Sequence, residues 1–372
     1  MHIVFPKHKL LDNINIAIKA VSTRTTLPIL ECILIIADES GVSLLSNDLE
    51  MGIATTPMTA DDGVDIIEPG AIAVDAKMFA EMIRRLPDAD VRFIVDNNNI
   101  AQVECAKAKF KILGYSGNDF PYLPEVEKDL MLCVTAAELK TVVRQTIFSA
   151  AVDESKPAFT GGMFDIKPNE LNVVTVDGFR VSHRRLIVTT ELMHSAIIPA
   201  KTLTEIIKII SGDSNINIYF TERHVLFETT ECTVVSRLVD GEFIKYETVF
   251  SPIYSTVVTV DRLEYLMALE RAMLISAKDA KKNPVKLEIG ANKLILKSNT
   301  ENGTSYEELD IGLTGKEMEI SFNPRYLADA LRVIDESNVC IRFSAALSPC
   351  IIVGEGNTEA RYLVLPLRNL MR

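Results

Sequence analysis

Residue types that carry out chemistry in many proteins occur here in few suggestive arrangements. Asp61 and Asp62 are adjacent carboxylates that could bind a metal ion. However, they stand in T-A-D-D-G, which is typical of a solvated turn, and neighbouring residues rarely converge on one ion. Gly161 and Gly162 could cradle a phosphate, but two glycines before an apolar run more often form a bend or bulge. We therefore predict that neither pair is a functional site.

Motifs of nucleotide-binding and hydrolytic enzymes are missing from the sequence. T-G-K at 314–316 matches the end of a phosphate-binding loop but lacks the upstream glycine and the hydroxyl residue after the lysine. There is no G-x-S-x-G or H-E-x-x-H, and the five histidines have no metal-ligand spacing. The six cysteines form no C-x-x-C pair. We predict no catalytic residue, no metal site and no cofactor.

Six copies of one pattern organise the chain: a β-like run, a polar or proline break, and a helix with apolar residues at i, i+3, i+4 and i+7. Phe79, Met82, Ile83 and Leu86 show this spacing clearly. The leading apolar residues of the six copies stand at 10, 79, 139, 203, 265 and 327. We predict helices over residues 7–20, 76–86, 136–148, 200–211, 261–276 and 324–335, each with three or four strands.

One helix on so small a sheet cannot enclose a core, so neighbouring copies should pair into three domains of α+β type. Proline-bearing stretches at 118–124 and 250–254 mark the joints, which places the domains at 1–123, 128–250 and 255–372. The longest apolar stretches are interrupted, and the first residues have no signal-peptide layout. We therefore expect a cytoplasmic protein that does not enter membranes.

Lysine and arginine are distributed unevenly. The chain has 39 Lys and Arg against 51 Asp and Glu, a net charge of −12 that by itself disfavours nucleic acid as a partner. The six predicted helices, however, hold 14 of the 39 basic residues and only 9 of the 51 acidic ones. These basic residues could simply be solvated on the outer faces of amphipathic helices. Because the pattern repeats, symmetry could instead place all six helices on one positive surface.

A curved array with its helices inside and a continuous sheet outside would turn this surface toward a central opening. Since a helix is about 10 Å across, six abreast would leave a hole of about 9 Å, too narrow for a duplex about 20 Å wide. Twelve helices would leave about 28 Å, which admits a duplex. A ring around DNA therefore requires at least two copies, joined head to tail if all repeats point the same way.

Four stretches carry a resemblance to a known family. R-T-T-L-P-I-L at 24–30, followed by N-D-L-E at 47–50, resembles R-P-T-L-P-I-L and T-D-L-E. K-P-A-F-T-G at 156–161 and V-D-G-F-R-V at 176–181 resemble R-P-x-L-x-G and T-D-G-H-R-L, and Y-L-V-L-P-L-R at 362–368 resembles Y-V-V-M-P-M-R. With the length and the three-part layout, the whole chain resembles the β subunits of bacterial DNA polymerase III, the sliding clamps.

The resemblance implies the DNA clamp fold, with three tandem similar domains, each built of two helix-plus-antiparallel-sheet units. It places the helices on the inside of a ring and the sheets outside. It also implies a non-catalytic processivity factor that encircles duplex DNA as a head-to-tail homodimer. The implied protein partners are the DNA polymerase III catalytic subunit, the clamp loader, and other polymerases and repair proteins that carry clamp-binding peptides.

Family site residues carry over position by position. The resemblance implies a partner-peptide pocket of Phe159, Val176, Gly178, Phe179, Arg180, Val181, Ile244, Thr248, Val249, Leu363, Leu365, Pro366 and Leu367. Contacts to DNA phosphates are implied for Arg24, Lys77, Lys156 and Lys201. The implied subunit contact joins Lys109, Phe110 and Ile112 of one chain to Leu274 and Ile275 of the other. Ile244 and Thr248 depart from the family pattern and residues 369–372 extend past the usual end, which bears on peptide preference.

Two further interpretations stay open from the residues alone. A repeat-built metabolic enzyme with its active site around Asp177 or Asp48 would need a pocket for a small substrate. A scaffold that holds peptide partners without forming a ring would be monomeric at its working concentration. Independently of these interpretations, Val176 and Leu365 taken singly are as readily explained as ordinary core residues.

Overall fold

Each of the six repeated patterns folds into an α-helix. The structure, a computed structural model, describes residues 1–153, 155–250, 253–275 and 284–367. Helices α1 to α6 span Lys7–Ala17, Ala76–Arg85, Ala136–Thr146, Ala200–Ile209, Arg262–Leu274 and Pro324–Val333. These bounds confirm the six predicted helices to within three residues at either end.

The polar break before a helix acts as its N-cap in three of the copies. Asp75 Oδ1 accepts a hydrogen bond of 2.7 Å from the amide three residues on, at the start of α2. Asp261 Oδ1 does the same at 2.9 Å for α5, and Asn323 caps α6, whose first residue is Pro324. Such caps satisfy amides that the first helical turn leaves without partners. The breaks seen in the sequence therefore determine where these helices begin.

The remaining regular structure is antiparallel sheet. In chain order, strands β1 to β27 span His2–Phe5, Cys32–Asp38, Gly41–Asn47, Met51–Thr55, Asp65–Glu68, Gly70–Asp75, Val91–Val95, Ile100–Cys105, Ala108–Leu113, Tyr115–Ser116, Leu130–Thr135, Gly161–Lys167, Glu170–Val176, Arg180–Ile187, His194–Pro199, Asn215–Phe220, His224–Glu228, Cys232–Arg237, Thr256–Asp261, Val285–Ile289, Lys293–Thr300, Gly303–Asp310, Gly312–Gly315, Met318–Phe322, Asn338–Phe343, Cys350–Gly354 and Ala360–Val364.

The chain divides into two compact units. The first unit consists of residues 1–137 and 205–238, and the second of residues 138–204 and 239–372. The first holds a five-stranded sheet, β5-β1-β7-β8-β9, and a nine-stranded sheet, β10-β6-β2-β3-β4-β18-β17-β16-β11. The second holds a nine-stranded sheet, β15-β12-β13-β14-β27-β26-β25-β19-β23, and a four-stranded sheet, β22-β21-β20-β24.

Each nine-stranded sheet combines strands that lie far apart in the chain. In the first unit β4 pairs with β18, with Thr55 opposite Cys232. In the second unit β14 pairs with β27, with Val181 opposite Leu363. Both pairings join strands from two of the predicted domains. The hydrogen-bonded sheet therefore continues from one predicted domain into the next within each unit.

The helix pairs α1–α2 and α5–α6 each share a core, as the pairing of repeats predicts. Leu10 of α1 and Phe79 of α2 are fully buried in one cluster of the first unit, and Phe79 packs edge-on against Phe93 with ring centroids 5.7 Å apart. Leu269 of α5 and Leu331 of α6 are likewise buried in one cluster of the second unit. Burial of this apolar surface is the main source of stability for each helix pair.

Two sequence expectations about short motifs have different outcomes. The Asp61 and Asp62 stretch is a turn, as predicted, and the Asp62 carboxylate accepts hydrogen bonds from Lys9 Nζ at 2.8 Å and from the Thr59 amide at 3.1 Å. The bend or bulge expected at Gly161 and Gly162 is wrong, because both residues pair regularly with β15. A Cβ on Gly161 would lie 2.5 Å from a backbone oxygen of that strand, so close backbone approach explains the glycine.

In the described residues no helix has the length and apolarity that crossing a membrane requires.

Candidate functional site

The turn at 177–180, between β13 and β14, is held by the side chain of its first residue. Asp177 Oδ1 accepts hydrogen bonds from the amides of Phe179 at 2.9 Å and Arg180 at 3.0 Å. Gly178, between Asp177 and Phe179, has a φ of +89°, a conformation that glycine adopts without steric cost. The turn leaves the Phe179 side chain 47% exposed.

Strand β27 completes the surface beside this turn. The Leu365 amide donates a hydrogen bond of 2.9 Å to the Phe179 carbonyl, so the two exposed apolar side chains belong to adjoining strand ends. Beneath them, Val181 and Leu363 face each other across the β14–β27 ladder and are buried. We call this surface, together with the segment 243–250, the Phe179 pocket.

The segment 243–250 packs on the same buried cluster. Ile244 and Phe159 are half-buried against Val176 in this cluster. Val249 is exposed, and Thr248 Oγ1 donates to the Lys245 carbonyl at 2.7 Å within a short 3₁₀ turn. Of the two residues that depart from the family pattern, Ile244 therefore packs on the buried cluster. Thr248 forms its hydrogen bond within its own turn.

Arg180 ties the turn to helix α6. Its Nε donates to Asp177 Oδ2 at 2.9 Å, its Nη1 to Asp329 Oδ2 at 2.7 Å, and its Nη2 to the Phe148 carbonyl at 2.6 Å. The guanidinium also lies 4.6 Å from the ring centroid of Tyr326, a favourable cation–π distance. Three of the five N–H groups are thus used inside the protein, and only the remaining two are available for the polar end of a peptide.

The described chain ends two residues past Leu365. Pro366 and Leu367 are half-buried, and the Leu367 amide donates to the Ser321 carbonyl at 2.8 Å. The C-terminal extension at 369–372 lies outside the described residues.

His183 is a supporting residue that sequence reasoning did not identify. Its Nε2 lies 2.9 Å from Asn172 Oδ1, and its Nδ1 accepts from Arg361 Nη2 at 3.1 Å, an arrangement that fits a neutral ring. Burial, and then the charge of Arg361, lower the pKa of His183 to about 3. The imidazole stacks on Tyr246, with centroids 5.5 Å apart, and contacts Phe250. His183 therefore supports the segment 243–250 from behind.

The four residues with implied DNA contacts are all exposed. Lys77 and Lys201 stand in the first turns of α2 and α4, Arg24 precedes β2, and Lys156 lies with its Nζ 5.1 Å from the ring centroid of Phe159. With the bounds that the structure gives, the six helices hold 13 of the 39 basic residues and 7 of the 51 acidic ones. The helices remain a positive subset of an acidic chain.

The residues of the implied subunit contact lie on an edge strand and at the end of a helix. Strand β9 is an edge of the five-stranded sheet; its Lys109 and Phe110 are exposed, whereas Ile112 is buried in the core of the first unit. Leu274 ends α5 and is 83% exposed, and the carbonyl of Ile275 accepts from Thr300 Oγ1 at 2.8 Å. An exposed edge strand such as β9 presents unpaired backbone groups to which another chain can add.

The arrangement offers no catalytic constellation in the part of the chain that the structure describes. No three His, Cys, Asp or Glu side chains gather there as metal ligands would. Asp177 and Asp48, the carboxylates of the enzyme interpretation, each accept two backbone amides in their own turns. Both aspartates therefore have a structural role.

Tandem α+β domains built of helices and antiparallel sheets define a protein of the DNA clamp class. Models of the N-terminal, central and C-terminal domains of the DNA polymerase III β subunit match residues 1–124, 133–245 and 248–368. The chain belongs to the β-subunit family of DNA polymerase III, the β sliding clamps, which are processivity factors of DNA replication. The resemblance seen in the sequence is confirmed.

Individual relatives agree over the whole chain. The β sliding clamp of Bacillus subtilis is 31% identical over 377 residues, covering 99% of this chain and 100% of the relative. The crystal structure of a putative DNA polymerase III β subunit from Eubacterium rectale has a TM-score of 0.93 at 40% identity, over 99% of this chain and 100% of that one. The crystal structure of the Bacillus subtilis clamp has a TM-score of 0.95 at 30% identity, over 99% of both chains.

Proposed function

We propose that the protein is a non-catalytic processivity factor that encircles duplex DNA as a head-to-tail homodimeric ring and tethers the replicative polymerase. Its three domains would span residues 1–123, 128–250 and 255–372. A clamp loader would place it on DNA. The polymerase III catalytic subunit, the loader, and other polymerases and repair proteins would dock through the Phe179 pocket.

The observation that carries the proposal is the construction of the Phe179 pocket. Phe179 and Leu365 expose apolar surface above a buried floor, and the backbone hydrogen bond between them fixes their spacing. A rigid apolar surface of this kind accepts one or two anchoring side chains of a short peptide. The hydrogen bonds of Arg180 to Asp177 and Asp329 order the pocket before any peptide arrives.

Binding of DNA without reading its sequence is supported by the side chains on the helices. Lys77 and Lys201 are exposed amines in first helical turns, suited to phosphate contacts. A strongly basic lining would hold the protein at one place on DNA, because each additional phosphate contact increases the affinity. The modest excess of basic residues on the helices suits weak contact and sliding.

The subunit contact is supported by two sheet edges of opposite character. Edge strand β9 carries Lys109 and Lys111, and edge strand β22 carries the acidic sequence E-E-L-D at 307–310. Antiparallel pairing of these edges in a second copy would oppose unlike charges. Glu307 already pairs with Arg271 of its own chain, so exposed apolar groups such as Phe110 and Leu274 would supply most of the contact energy.

Processive synthesis tests the tethering function. With purified loader and polymerase III on a primed single-stranded circle, the clamp should lengthen the products made in one binding event by at least tenfold. The variant Phe179→Ala with Leu365→Ala should lose this gain, because the polymerase can no longer dock. Products of equal length with and without the unmodified protein would refute the proposed function.

A further inference from the structure

The first unit contains a second turn of the same design as the one at Phe179. Asp48 Oδ1 accepts hydrogen bonds from the amides of Glu50 at 3.0 Å and Met51 at 2.8 Å. Leu49, between Asp48 and Glu50, has a φ of +73°. The Arg237 amide then donates to the Glu50 carbonyl at 2.9 Å, which joins the turn to the end of β18.

These contacts match those of the Phe179 pocket one by one. There Asp177 Oδ1 accepts the corresponding two amides, Gly178 has the positive φ, and the Leu365 amide donates to the Phe179 carbonyl. The same arrangement of backbone hydrogen bonds therefore occurs at two places in the internally repeated chain. The side chains on the two frameworks differ, so the second must be judged by its own chemistry.

A cavity lies beside this second turn, and we call it the Met51 pocket. Its volume is about 160 Å³, and Met51, Leu123 and Val235 give it an apolar base. Met51 and Val235 are almost fully buried, whereas Tyr122 at the mouth is well exposed. Since an apolar cavity of about 150 Å³ holds one benzene-sized molecule, this pocket has room for one leucine or phenylalanine side chain.

Leu49 stands at the mouth in an unfavourable backbone conformation. A positive φ disfavours residues that carry a Cβ, and the corresponding position in the other turn is a glycine. The Leu49 side chain is nonetheless 51% exposed and lines the pocket. Backbone outliers of this kind occur at ligand sites, and we take this one as a reason to consider a ligand contact at Leu49.

One cationic side chain, that of Arg237, stands on the rim of the Met51 pocket. Arg237 is exposed, and within the described residues its guanidinium takes part in no ion pair. His224 lines the same pocket, but burial, followed by the charges of Arg237 and Arg223, lowers its pKa, so its ring adds no positive charge at neutral pH. Glu50 is the one carboxylate among the lining residues. The formal charges of Arg237 and Glu50 balance, so a carboxylate beside the apolar base is complementary to Arg237 itself rather than to the rim as a whole.

We propose that the Met51 pocket is a second docking site, which binds a segment of a partner protein that presents one leucine- or phenylalanine-sized side chain next to a carboxylate. The apolar side chain lies on Met51 and Val235, between Leu49 and Tyr122. The carboxylate pairs with Arg237. This inference rests on contacts within the first unit and holds whether or not the Phe179 pocket binds peptides.

Methionine-methyl NMR of the full chain tests the proposal, with N-acetyl-Leu-Phe as the probe. The Met51 methyl signal, assigned with Met51→Leu, should shift and saturate with the free acid. The C-terminal amide of the same dipeptide should bind at least fivefold more weakly. Arg237→Gln should reduce the affinity for the acid to that for the amide and leave the amide unaffected. Tyr122→Ala should weaken both; the two substituted side chains are exposed, so the fold should persist.

Controls separate this site from others. Arg92→Gln removes the same charge from an exposed position on β7 and should leave binding unchanged. In Phe179→Ala with Leu365→Ala, the Met51 shift should persist. The proposal is overturned if Met51 does not respond to the acid, if acid and amide bind equally, or if the shift disappears with the Phe179 pocket. A Met51 shift that follows protein concentration without the probe would mean that a second copy fills the pocket, and would also overturn it.

Discussion

Arg180 and Asp329 form an ion pair, with 2.7 Å between Nη1 and Oδ2, that fastens strand β14 to helix α6. The Arg180 side chain is only 12% exposed, and the Asp329 carboxylate also accepts from Arg332 Nη1 at 2.8 Å. Charge-assisted hydrogen bonds in such partly buried positions are stronger than those between surface charges. The pair therefore makes the Phe179 turn depend on a residue 149 positions away in the sequence.

Removing Asp329 should destabilise the second unit. Asp329→Ala leaves a partly buried guanidinium with one partner fewer, which we expect to lower the free energy of unfolding by about 2 kcal/mol. Urea denaturation measures this change. Asp335→Ala is the matched control, because Asp335 pairs with Arg144 at the surface and such pairs contribute less than about 1 kcal/mol. Equal losses in the two variants would contradict the structural role of the Arg180 pair.

Peptide binding should require both exposed apolar residues of the Phe179 pocket. Phe179→Ala with Leu365→Ala should weaken binding of a fluorescent clamp-binding peptide by about thirtyfold, the effect of losing about 2 kcal/mol of anchoring contact. Because both side chains are exposed, light scattering should show the same dimer as for the unmodified protein. Unchanged peptide affinity would contradict the assignment of the Phe179 pocket as the peptide-binding site.

His183 should make stability depend on pH in the acid range. Its pKa is lowered on folding from an ordinary value of 6.5 to about 3, so the unfolded chain takes up a proton between these values and the folded chain does not. Stability should be full above pH 6.5 and decline by about 1.4 kcal/mol per pH unit as the pH falls toward 3.

The variant His183→Gln isolates this contribution. Between pH 7 and pH 5 the unmodified protein should lose about 2 kcal/mol more of its free energy of unfolding than the variant does. Denaturant titrations at the two pH values measure the difference. Parallel losses would show that His183 is not the titrating group.

The dimer should depend on apolar contact more than on charge. Leu274→Lys should raise the dimer dissociation constant by at least about tenfold, because it places an amine where an exposed leucine would pack. Lys109→Gln should change it less, since Lys109 already pairs with Glu104 of its own chain at 2.7 Å. Sedimentation equilibrium measures both constants, and the reverse order of effects would contradict the account.

Local signals made the helices predictable. Each helix has its own apolar spacing, and the caps at Asp75, Asp261 and Asn323 are adjacent to the residues that they serve. The pairings of β4 with β18 and of β14 with β27 have no such signal, because strand register between distant segments depends on the assembled sheet.

The candidate site was predictable only as far as motifs extend. V-D-G-F-R-V marks the turn at Phe179. However, Arg180 is positioned by its hydrogen bond to Asp329, and His183 accepts a hydrogen bond from Arg361, 178 residues away. No motif links these pairs. The Met51 pocket was missed for a related reason. Its turn, N-D-L-E, shares only the aspartate with V-D-G-F, and the common hydrogen bonds appear only in three dimensions.

Retention on DNA tests the ring mechanism most directly. The protein should first be loaded by purified loader onto nicked circular duplex DNA, and half of the sample should then be linearised with a restriction enzyme before gel filtration. A topological ring should remain with the circles and slide off the ends of the linear molecules, at a salt concentration where phosphate contacts alone do not hold it. Equal retention on the two forms, or equal loss from both, would contradict encirclement.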